Sequence, residues 1–85
     1  MEITEVRIYP FDSEGATRAF ASITFDNSFV VRDIRVVDGK KGLFVSMPAK
    51  KTPKGEFKDI CHPITNELRE TIQKTILDKY EQEIA

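Results

Sequence analysis

AFASITFDNSFVVRDIRVV, residues 19–37, decides the fold. Ala19, Ala21, Ile23 and Phe25 fall on one parity while Ser22, Thr24 and the preceding Arg18 fall on the other, the alternation of a half-buried strand. A second β-rich run, Phe29 to Val37, begins three residues later. Between the two, Asp26 and Asn27 tolerate positive φ better than most residues, so the segment predicts a tight antiparallel hairpin. On the second strand the expected inner face is Val30, Ile34 and Val36, opposed by Asp33 and Arg35.

Outward from the hairpin the same pattern recurs. Ile3 to Tyr9 alternates as a strand, with Val6 and Ile8 against Glu5, Arg7 and Tyr9, and Pro10 ends it. Phe11 to Gly15 is a connecting turn. After the second hairpin strand, Asp38 to Gly42 forms a turn with two glycines and Leu43 to Met47 a shorter, more apolar strand that Pro48 stops, because proline offers no N–H to a neighbour. Met47 is assigned to the core, and so is Phe44, with a stacking platform as the alternative role for its ring. From Ala49 to Ile60 no period survives, and the segment is expected to be an exposed loop anchored by Phe57.

His62-Pro63 is the expected helix start, since a proline in the first turn loses no hydrogen bond. Ile64, Leu68, Ile72, Ile76, Tyr80 and Ile84 then recur every fourth residue, joined by Leu77. A four-residue step overshoots the helical turn by about 40°, so the stripe winds through about 200° along the helix. One flat sheet cannot cover all of it. The expected architecture is therefore α+β: a single domain over 1–85 with an antiparallel sheet of four to five strands (about 2–48), a basic loop (49–60) and a helix (about 63–84). A homodimer is expected to cover Ile76, Leu77, Tyr80 and Ile84 with a partner protomer, together with a sheet edge. The small core of an 85-residue chain points the same way, because a domain of that length buries only about 60–65% of its unfolded surface.

Composition narrows the function. With 40% apolar and 32% charged residues the chain lies outside the disordered regime. Its one cysteine excludes an internal disulfide. Lacking an N-terminal signal and an 18-residue apolar run, it is expected to be cytoplasmic. Catalysis has little to work with. Cys61 and His62 adjoin, yet a thiolate–imidazole pair needs facing side chains and a third orienting group. One Cys and one His cannot close a zinc shell within a chain, and neither a phosphate cradle nor a nucleophile elbow is present. No enzyme activity, metal or cofactor is expected, and Cys61 and His62 are taken as structural.

A net charge of −1 conceals a segregation. Lys40 to Lys58 carries six lysines and one acid, a formal +5 on a body of −6. Lys50, Lys51, Lys54 and Lys58 flank a proline-stiffened turn beside the helix start, where free N–H groups and the helix dipole also favour an anion. The bland reading is a solvated loop that aids solubility. The functional one is a polyanion site, in which ammonium groups bind phosphate salt-sensitively while Asn66 or Arg69 supplies any base-edge contact.

ASITFDNSFVVRDIRVVDGKKGLFVSMPAKKTPKGEFKDICHPIT, residues 21–65, closely resembles the SpoVG family, the bacterial stage V sporulation or septation regulators. FDN, the GLFV-x-MP run and KTP-x-G-x-F-x-DI-x-HP carry the resemblance, which extends from EITEVRIYP to the closing helix. It implies a small dimeric α+β protein that binds DNA and possibly RNA and influences septation, sporulation or virulence-gene expression. It also places the basic surface on Lys50, Lys51 and Lys54, with the helix start as a second contact region. The competing expectation is a protein-interaction module of the division machinery, in which the lysines serve only solubility.

Overall fold

The computed structural model describes residues 2–11 and 15–84. Strands β1 (Ile3–Pro10), β2 (Thr17–Phe25), β3 (Phe29–Gly39) and β4 (Gly42–Ser46) form an antiparallel sheet in the order β1-β2-β3-β4. A two-stranded sheet of β5 (Ala49–Lys51) and β6 (Phe57–Asp59) follows, and helix α1 (Asn66–Ile84) closes the chain. The expected α+β architecture is the observed one. The turn expected over residues 11–15 lies partly outside the described residues.

The deciding hairpin forms as the sequence requires. Phe25 pairs with Phe29, and both Asp26 and Asn27 sit at φ 51°. The start of β1 ties this loop down: the Asp26 N–H donates to Glu2 O (2.8 Å), and Thr4 Oγ1 accepts from the Asn27 N–H (2.9 Å). Thr4 itself is a bulged residue, for Ile3 pairs with Phe25 and Glu5 with Thr24.

A bulge in β3 corrects the expected facing of Val30. Ala21 pairs with Ile34 and Ile23 with Val31, so Ser22 alone opposes both Arg32 and Asp33. Asp33 takes φ 61°, a left-handed conformation that Asp tolerates better than a branched residue does. The extra residue lets Val31 and Ile34 both point inward, while Val30 is left exposed. Strict alternation across residues 30–36 fails for this reason.

Inside lie Ile8, Ala19, Ala21, Ile23, Phe25, Ile34 and Val36 from the sheet, and Ile72, Ile76 and Tyr80 from α1. The helix lies along one face of the sheet, against β1, β3 and β4. Ile76 is fully buried and Tyr80 is 8% exposed within the single chain. Both were expected at a subunit interface, and the chain's own sheet covers them. Sheets carry a right-handed twist, and a twisted face can follow a winding stripe further than a flat plane would. Leu77 is half-buried, while Ile64, which precedes α1, and Ile84, at its far end, are exposed, so the stripe escapes cover at its two ends.

Three further expectations change. Phe44 points away from the core, because Val36 pairs with Val45 on the inner face and Val37 with Phe44 on the outer one. Its ring covers Gly39, where a Cβ would meet Phe44 Cε1 at 2.7 Å. The segment 49–60 is the β5–β6 hairpin instead of an irregular loop, and Phe57 is 70% exposed and anchors nothing. Finally, α1 begins at Asn66: Thr65 Oγ1 accepts from the Leu68 N–H (3.2 Å), making Thr65 the N-cap and leaving His62-Pro63 in the preceding linker.

Candidate nucleic-acid interface

Local chemistry explains the hairpin that displays the lysines. Thr52-Pro53-Lys54-Gly55 has proline where a turn needs a preset φ, and the Gly55 N–H donates back to Thr52 O (2.9 Å). Gly55 then takes φ 86°, the positive value that lets a three-residue loop rejoin its strands. The Thr52 N–H donates to Glu56 O (2.6 Å), and Thr52 Oγ1 accepts from the Glu56 N–H (3.2 Å). One more bond, from the Ile60 N–H to Pro48 O (2.7 Å), continues the pairing past the formal strand ends.

Pairing then places the charges. Lys50 lies directly opposite Lys58, and Lys51 opposite Phe57. Directly opposed residues share a face with Cβ atoms about 5 Å apart, so Lys50 and Lys58 stand side by side. Lys51 projects from the other face with exposed Phe57 as its neighbour, and Lys54 crowns the turn. All four lysines are exposed. An open depression of about 370 Å³ is lined by Lys50, Lys51, Pro53, Lys58, Asp59 and Ile60. Lys40 and Lys41 stand apart in the β3–β4 turn, separated from this group by the length of β4.

Arg69 lies on the neighbouring ground. It lines a narrow cleft of about 70 Å³ with Asp59, His62, Pro63 and Gln73, so Asp59 borders both depressions. Its Nη2 sits 3.4 Å from Pro63 O, a long contact that holds the guanidinium over the linker. Asn66 is exposed on the first residue of α1. The helix start is less open to an anion than its sequence suggests, because Thr65 caps the Leu68 N–H and Glu67 places an acid in the first turn. The structure thus brings Lys50 and Lys58 together and sets Arg69 beside them across Asp59.

Cys61 is half-buried and borders an apolar recess of about 190 Å³ with Phe25, Phe29, Met47 and Leu68. The exposed His62 ring places Nδ1 at 3.1 Å from Pro63 O, its own neighbour's carbonyl. Among the described residues no three His, Cys, Asp or Glu side chains gather as a metal site would need, and no helix is long and apolar enough to cross a membrane.

Sequence reasoning missed the Lys50–Lys58 pairing. The signal was present in Pro53 and Gly55, at the first inner and the last positions of a four-residue turn between two short runs.

A family model described as SpoVG matches residues 1–82. Among curated relatives, each named "Putative septation protein SpoVG", one from Clostridium novyi (strain NT) is 59% identical over 81 residues, covering 95% of this chain and 81% of the relative. Another, from Caldicellulosiruptor saccharolyticus, is 52% identical over 85 residues, covering 100% of this chain and 97% of that protein. A third, from Clostridium perfringens (strain ATCC 13124), is 58% identical over 82 residues, with 96% and 91% covered.

Proposed function

Because the chain belongs to the SpoVG family, we propose that it is a septation-related cytoplasmic regulator that binds DNA or RNA through the β5–β6 hairpin and the adjoining start of α1, with no catalytic step and no cofactor. The observation that carries this reading is the Lys50–Lys58 pair. Like charges directly opposed across a strand pair are destabilising, and a loop kept only for solubility has no need of them on one face. A phosphate chain meets such a pair with complementary charge. Binding of this kind releases counterions, so it must weaken steeply with salt. Electrophoretic mobility shift with duplex and single-stranded oligonucleotides, at about 50 and 200 mM salt, tests it. Complexes at the lower concentration that dissolve at the higher one support the reading; free oligonucleotide at both overturns it in favour of a protein-docking module.

The same protein is proposed to be a homodimer, joined at a different place from the one the helix stripe suggested. Phe29, Ile60 and Ile64 are 66%, 67% and 89% exposed. Ile60 and Ile64 bracket the 61–63 segment that walls the apolar recess, and Phe29 stands at its rim. Burying three large apolar side chains is worth several kcal/mol at about 25 cal/mol per Å² before the costs of association. Ile64→Asp is expected to convert a dimer to a monomer in light scattering at micromolar concentration without lowering the helical content of the chain. A wild-type monomer, or a dimer that ignores this substitution, removes the proposal.

A further inference from the structure

Among the described residues no strand or helix covers the sheet face opposite α1, and its side chains are sorted. Four of the five arginines of the chain, Arg7, Arg18, Arg32 and Arg35, lie on β1–β3, where there is no lysine. Pairing aligns Tyr9, Phe20, Arg35 and Ser46 in one row across all four strands. Next to it, Arg7 pairs with Ser22, which faces the Arg32–Asp33 bulge. An open depression of about 600 Å³ occupies this ground, lined by Arg7, Tyr9, Phe20, Ser22 and Arg32 among others.

The aromatic rings here are placed as a surface and not as core. Tyr9 is 52% exposed, and the Phe11 and Phe20 rings meet in a T-shaped contact at 74° with centroids 5.2 Å apart, which fixes the Phe20 ring. Carboxylates occupy only part of the charge: Glu5 pairs with Arg7 and Asp38 with Arg18, while Arg32 and Arg35 make no ion pair among the described residues. Hydrogen bonding from Glu5, and then from Tyr9, raises the Arg7 pKa, so its charge is fixed at any working pH. Asp33 adds one opposing charge at the rim.

Planar rings beside unpaired guanidinium groups are complementary to one kind of polyanion, a strand whose bases are unpaired and free to stack. A duplex presents no base faces to such a surface. We propose that this open face is a binding site for single-stranded nucleic acid, with bases stacking on Tyr9 and Phe20 and phosphates meeting Arg35 and Arg32. The row crosses three inter-strand steps, about 14 Å, and four-stranded sheets with aromatic rows stack two or three bases. This proposal rests on the nucleic-acid reading above and adds to it a second surface and a strand class.

Fluorescence anisotropy of the full chain with a labelled uridine decamer, and with a duplex of mixed sequence, separates the two surfaces. Tyr9→Leu is expected to weaken decamer binding about 5- to 150-fold, the usual range for one stacked base, and to leave duplex binding within twofold. Arg35→Gln should flatten the decamer salt slope by about 0.7, and Arg32→Gln, at a more exposed position, should act in the same direction. If Tyr9→Leu, Arg32→Gln and Arg35→Gln all bind the decamer as wild type does, while hairpin lysine substitutions release it, the face is not the site and the hairpin reading survives. Wild-type protein that binds neither probe overturns both. Sheet-face variants that change the sedimentation of the protein alone, with decamer affinity unaltered, assign the face to a second copy of the chain and overturn the proposal.

Discussion

Ile76→Ala is expected to remove 2–5 kcal/mol of stability, by the lost transfer of the side chain and the cavity it leaves, at about the magnitudes measured for buried aliphatic truncations. A domain of this length has roughly 4–13 kcal/mol in all, so the variant should lose a large share of its folded population on warming. In urea the midpoint should fall by about 1–3 M, with an unchanged slope. The position justifies the size: Ile76 is fully buried, midway along α1, among residues of the sheet's inner face. Ile84→Ala, at a residue 56% exposed, should move the midpoint little, within about 0.5 kcal/mol. Equal effects at the two positions, or a loss at Ile76 that appears only as weaker dimerisation, would contradict this packing.

That comparison also marks how far the sequence could be read. The β2–β3 hairpin was legible because its information is local: two alternating runs and two residues that accept positive φ. The order β1-β2-β3-β4 is the one that short connections between successive strands produce. What α1 packs against was not legible, because a stripe spaced by four residues is equally the mark of a helix shared between two chains and of one following a twisted sheet. Only the three-dimensional packing decides, and it puts Ile76 and Tyr80 inside. In the candidate site, lysine clustering was legible from composition, but the face each lysine occupies depends on a turn that selects the register. The gathering of arginines on the outer sheet face was hidden for the same reason: Arg7, Arg32 and Arg35 are scattered in sequence and meet only through pairing.

Replacing Lys50, Lys51 and Lys54 by Gln should have the largest effect on duplex binding. Each phosphate neutralised contributes about −0.9 to the slope of log K against log salt, so three phosphates left unneutralised flatten that slope by about 2.7 for each protomer engaged. At about 0.1 M salt the same exponent corresponds to a roughly 500-fold loss of affinity for each protomer engaged. Such a weakening should be nearly the same for unrelated sequences, since phosphate contacts position a protein without specifying bases. Unfolding does not confound the test. All three side chains are exposed, and removing the Lys50 charge relieves repulsion with Lys58. A folded triple variant with wild-type affinity and salt slope would take the hairpin out of the mechanism.

The bulge at Asp33 has a bearing on how this surface can change over time. Elsewhere along a strand, gaining or losing one residue turns every later side chain over, so the interior and exterior patterns are lost together. Where Arg32 and Asp33 share a single partner, one residue is surplus to the alternation: Val31 before it and Ile34 after it both point inward with either one or two residues between them. Length and facing are uncoupled at that point of β3. It is a joint at which lineages can insert or delete a residue beside Arg35 and redraw the outer face without rewriting the core beneath it.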